Sequence, residues 1–164
     1  MEFLSIIKHI GLTFAIGGST FAMIFYYAAM WDGKISEDES HFMHIVYFIL
    51  RIGMCILIPW EILMMMYQYT IGNEAYFMNV VNWFRVMLLG VIVLNATLMT
   101  KHKMPMWFGP ALAGGSWYYY YFVSITQKEA SLGFLITWYI AFVLFLLVAL
   151  RILKRKFIDH KPLF

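Results

Sequence analysis

Long apolar stretches almost free of charge leave this chain few folds to choose from. Residues 10–29, 45–67, 86–99 and 134–150 form such runs, each approaching the roughly 20 apolar residues with which a helix crosses a bilayer. Only 13% of the 164 residues are charged and 63% are hydrophobic, against about one quarter charged in soluble domains. The expectation is an all-α integral membrane protein, a single domain over residues 1–164, built as a bundle of about five transmembrane helices.

Turn and cap signals divide the chain. The first helix is predicted from about residue 3 to 31, closing at Trp31-Asp32-Gly33-Lys34, where an aromatic belt residue meets a polar turn. Ser36 followed by Glu37, Asp38 and Glu39 reads as an N-cap with an acidic first turn. The second helix therefore starts near Ser36 and runs past Tyr67, kinked at Pro59. Gly72-Asn73 marks a turn, and a third helix spans about 75–100, closed by Lys101-His102-Lys103 and Pro105. The fourth, after Pro110, is short, covering about 111–125. The fifth has Glu129 in its first turn and ends in Arg151, Lys154, Arg155 and Lys156, leaving a short, disordered tail from Asp159. The first segment begins with Glu2 in place of a basic region and is too long for a signal peptide, so it is expected to be retained.

Five crossings place Lys34, Lys101, Lys103, Arg151, Lys154, Arg155, Lys156 and Lys161 on one side, and Lys8 and Lys128 on the other. By the positive-inside rule the first side is cytoplasmic, which puts the N-terminus outside and the C-terminus in the cytoplasm. The net charge of +3 thus sets orientation, and nucleic acid is not an expected partner.

The polar residues within or beside the apolar runs are His9, Arg51, Glu61, Arg85 and Asn95. A charge in hydrocarbon costs about 2.5–3.5 kcal/mol on insertion scales, so each should face a partner or water inside the bundle. Folding successive helices back about their turns, at 1.5 Å per residue, brings His9, Glu61 and Arg85 to one depth in the outer leaflet. Arg51 and Asn95 meet at a second depth, nearer the cytoplasm. The first layer reads as a proton relay or ligand site, with Glu61 and Arg85 as its working pair. It reads equally as a buried ion pair that fixes helix register. Both readings require Glu61 and Arg85 to face each other.

Other features have blander readings. Ser5, His9, Thr13, Gly17 and Thr20 form a polar, small-residue stripe expected to face the bundle, with Ala15, Gly18 and Ala22 extending a close-contact face. The thirteen methionines are soft ligands of the kind copper sites use, but Met64, Met65 and Met66 point around their helix and read as core. Tyr118 to Tyr121 cover every face of the fourth helix, which suits an interface or cofactor wall. Cys55 reads as a packing residue, and Asn95-Ala96-Thr97 lies too deep for glycosylation. At the cytoplasmic rim, His41 and His44 stand one turn apart and could approach His102. This makes His44, with His9, a candidate metal ligand; the same spacing is ordinary for a solvated helix end.

Lys8-His9-Ile10-Gly11 through Gly17-Gly18 and Phe21, then a polar loop and a helix bearing Arg51 and Gly53, resembles the opening hairpin of a group of small bacterial membrane proteins. That group includes the copper-resistance D domain and the HemJ-type protoporphyrinogen oxidases. The resemblance covers about one third of the chain. It implies a bacterial inner-membrane location and His9 as ligand of a haem b; Arg51 and Asn95, from the second polar layer, are read as further cofactor-binding residues. The HemJ pattern has a lysine in its third helix where this chain has Arg85, so the haem carries over and the reaction does not.

Three functions follow as expectations. The first is a protein holding a haem-like redox cofactor near the first helix, with protons handled by the His9, Glu61 and Arg85 layer. The second is a small oligomeric transporter or channel using both polar layers. The third is a non-catalytic subunit or assembly factor of a larger membrane complex. Whether the protein is an enzyme stays open.

Overall fold

Leu12, Ala15 and Ser19 recur at three- and four-residue intervals, which aligns them along one helix face; all three are almost fully buried. That face belongs to α1 (Glu2–Ala29), and it packs on α2 (Glu37–Thr70) in the most extensive helix contact of the molecule. The approach is close because Gly53 has no side chain: a Cβ there would lie 3.0 Å from the backbone nitrogen of Ala15. Small residues of this kind are how membrane helices gain van der Waals contact where lipid gives no hydrophobic drive.

The computed structural model describes residues 2–29, 37–101, 103–105, 108–126 and 130–158. Among these the remaining elements are α3 (Glu74–Met78), α4 (Val80–Thr100), α5 (Gly109–Thr126) and α6 (Leu132–Ile158). Helix α5 is the hub, since it touches α1, α4 and α6. Gly114 abuts Met23 of α1 and Gly115 abuts Val143 of α6, while Tyr119 donates to the Leu135 carbonyl at 3.1 Å. Phe84 of α4 meets both Tyr119 and Tyr139 edge-on, a geometry favoured by aromatic quadrupoles.

Four helical segments are long and apolar enough to cross a membrane: Ser5–Phe25, Ser40–Thr70, Val80–Thr100 and Leu132–Ile152. The expected short fourth span is present as α5 but falls outside this set. Its glycines and serines, with Tyr119 and Tyr120, are buried against other helices, whereas Tyr121 is exposed. The outer surface elsewhere is apolar, with Phe48, Leu94 and Phe145 each at least 60% exposed. An apolar exterior of this kind is expected where lipid is the solvent and is unusual where water is.

The predicted third helix is two helices. Asn79 takes an extended conformation and its side chain accepts from the Val81 amide, starting α4 afresh. Carbonyls released by the break are taken up by Asn82, which donates to Tyr76, and by Trp83, which donates to Phe77, both at 2.8 Å. The short α3 opens with Asn73 as its cap, after Gly72 at a φ of 68° has turned the chain. Pro59 lies within α2, which continues through it as helix. Trp31 to Ser36, His102, Met106-Trp107, Lys128-Glu129 and the tail from Asp159 lie outside the described residues.

Gly53→Val is expected to push α1 off α2 and destabilise the bundle by about 1–3 kcal/mol. Gly90→Ala, where nothing lies within 4 Å, should be neutral or stabilising by up to about 1 kcal/mol. Unfolding of both variants in one detergent checks the pair.

Candidate functional site

Buried positions on α2 run Leu50, Leu57, Trp60 and Glu61, and on α4 Val81, Phe84, Arg85, Leu88 and Ile92. The apolar faces that dock these helices therefore carry Glu61 and Arg85 inward with them. The two meet as predicted: Arg85 Nε lies 3.5 Å from Glu61 Oε1, with the residues 6% and 3% exposed. It is the one salt bridge among the described residues. At that distance it is an ion pair more than a formed hydrogen bond.

Tyr120 of α5 donates to the same Oε1 at 2.7 Å, a short, charge-assisted bond. Arg85 in turn donates to the Asn82 side chain at 3.0 Å. Glu61 Oε2 is buried and has no hydrogen-bond partner. From α3, Tyr76 lies against Arg85; burial, with the charge of Glu61 adding to it, pushes its hydroxyl above the ordinary tyrosine value.

The fourth member is Lys8. It is 9% exposed, and its ammonium stands 4.8 Å from the centroid of the Trp60 ring, a cation–π contact. Lys8, Arg85, Tyr120 and Glu61 lie about five to nine residues from the helix ends nearest α3, a depth of roughly 8–14 Å. Two cationic side chains thus share one carboxylate, and that carboxylate keeps one oxygen unused. An acceptor without a donor and a cation without an anion are the two chemical capacities of this centre.

His9 is not part of it. One position further along α1 rotates the side chain about 100° away from Lys8, and His9 is exposed. It borders a surface groove of about 750 Å³ lined by Ser5, Ile6, His9, Ile10, Thr13 and Phe14, all of α1. Its Nδ1 lies 2.7 Å from the Ser5 carbonyl. Ser5 and Thr13 are exposed with it, so the polar stripe faces outward, and only Thr20 at its far end meets the bundle, through the Tyr118 hydroxyl at 2.5 Å. The close-contact residues Ala15 and Gly18 do face inward.

The second layer does not assemble. Arg51 is exposed, whereas Asn95 is buried and donates to the Gly109 carbonyl at 3.0 Å, tying α4 to the start of α5. His41 and His44 are exposed, and no group of three His, Cys, Asp or Glu among the described residues could hold a metal. Cys55 is exposed too, not packed. For haem, one chain offers a single imidazole in an open groove on one helix, which does not enclose such a group. Between the two levels lie packed residues such as Leu88 and Ile92, and the buried hydroxyls of Ser19 and Ser116 are bonded within the bundle.

The tyrosine run resolves into four directions. Tyr118 reaches Thr20, Tyr119 reaches α6, Tyr120 reaches Glu61, and Tyr121 is exposed. Lys8 and Tyr120 are the site residues that sequence reasoning missed. Lys8 stands one heptad before Ala15 on the close-contact face, a spacing that could have placed it inside.

Comparison with protein families, curated proteins and solved structures finds no match to this chain.

Arg85→Ala is expected to strand the Glu61 carboxylate and cost about 3–5 kcal/mol, whereas Glu61→Leu with Arg85→Met should recover most of that loss. Tyr120→Phe should cost about 1.5–3 kcal/mol, the worth of a hydrogen bond to a charged group. Chemical unfolding in lipid nanodiscs reads all three.

Proposed function

We propose that this is a membrane-embedded binding protein whose working centre is Lys8, Glu61, Arg85 and Tyr120. Arg85 and Tyr120 hold the Glu61 carboxylate in place through Oε1. Oε2 accepts a hydrogen bond or a proton from the ligand, and Lys8 supplies positive charge beside it. The observation that carries this reading is Glu61 Oε2, buried with no partner beside two cations, because native structures rarely leave such a group idle without a role for it. A transport path has less support, since Arg51 faces outward and Leu88 and Ile92 fill the space between the levels.

A second reading keeps haem b at His9. Its support is the Ser5 carbonyl beside Nδ1, an arrangement that fixes the tautomer and leaves Nε2 as the free ligand atom. This reading requires a second copy, or a larger complex, to cover the groove on α1.

Mass spectrometry and visible spectroscopy of the native preparation separate the two. A co-purifying species lost in Glu61→Gln and kept in His9→Ala supports the buried centre. A Soret band lost only in His9→Ala supports haem, and a preparation with no bound species contradicts both.

In the proposed topology α5 makes the fourth of five crossings, so that the centre lies in the outer half of the bilayer. A reporter fused after Phe164 should then be active only in the cytoplasm, and activity outside would reverse the arrangement.

A further inference from the structure

Resting on that reading, we infer that the ligand of the buried centre is a phosphate group that bears, or is flanked by, an O–H or N–H donor. The argument starts from charge. Lys8 and Arg85 both lie within electrostatic reach of Glu61, yet only Arg85 reaches salt-bridge distance of it. With all three ionised, the centre carries one positive charge in excess, held where few water dipoles offset it. A counter-anion stabilises such a charge. Lys8 is the residue free to take it, because its ammonium rests on the Trp60 face and sits on a flexible four-carbon stem.

The second requirement comes from Glu61 Oε2. Buried and unpartnered, it would repel a bare oxyanion, so the ligand must also present a donor hydrogen. A phosphate diester with a neighbouring hydroxyl or ammonium meets both demands, and so does monohydrogen or dihydrogen phosphate. A choline phosphodiester offers the oxyanion without the donor. Depth favours a lipid source, because the centre lies roughly 8–14 Å below the helix ends nearest α3, where a head group drawn slightly inward would arrive. Tyr76 of α3, against Arg85, stands on the approach from that side.

The test uses the full chain in nanodiscs of phosphatidylcholine doped with phosphatidylglycerol or phosphatidylethanolamine, followed by gentle extraction and native mass spectrometry. The expected result is one phosphatidylglycerol or phosphatidylethanolamine retained per chain in preference to phosphatidylcholine. Retention should fall about tenfold or more in Lys8→Met and Glu61→Gln and be restored in Lys8→Arg. Trp60 fluorescence should shift on binding as the ammonium leaves the ring, a readout that a purely structural lysine would not move. Inorganic phosphate forms the other arm: if it displaces the lipid and produces the same Trp60 shift, the oxyanion chemistry stands with a soluble source. If it does neither while the lipid binds, the source is the membrane. Equal retention of all three lipids without a phosphate effect, or retention unchanged in a folded Lys8→Met, overturns the inference. A different co-purifying species that depends on Glu61 would overturn it while leaving the buried centre itself intact.

Discussion

A carboxylate inside an apolar bundle is tolerable only if its charge is answered within a few ångströms, and Glu61 is answered from three other helices. Arg85 comes from α4, Tyr120 from α5 and Lys8, more distantly, from α1. Those side chains can converge only when the four helices stand at one register and rotation. The polar centre thereby selects one packing out of the many that would bury similar apolar area. The close approach of α1 to α2 at Gly53 serves the same end, for it brings Lys8 onto Trp60 beside Glu61.

Much of the fold is legible in the sequence because apolar runs long enough to cross a membrane become helices, and turns interrupt them. The shared level of Glu61 and Arg85 was legible too, since distance from a turn fixes depth and a buried charge demands a partner. Rotation about the helix axis was not. His9 and Lys8 differ by one residue, hence little in depth, but by about 100° in direction. A depth argument cannot distinguish them: it points to the more chemically suggestive imidazole, whereas the lysine holds the place. Arg51 was misplaced by the same gap, having the right level and the wrong face.

The break at Asn79 was hidden for a different reason. Residues 74–100 carry no proline, and their apolar pattern reads as continuous helix. Competition from local side chains decides the outcome, as Asn79 caps α4 while Asn82 and Trp83 take up the carbonyls left over. Asparagine favours such local bonds over helix continuation, but its presence alone does not reveal which asparagine will act. Tyr120 was obscured by abundance: four consecutive tyrosines look interchangeable until neighbouring helices give each a separate task.

The composition of α5 bears on how the chain reaches its final state. This segment falls outside the set of helices apolar enough to cross a membrane, and its buried face packs on α1 and α4. Entry into a bilayer helix by helix would then require the α1–α2 hairpin and α4 to be in place before α5 could bury this face, and α6, which is held chiefly through α5, would close the assembly last.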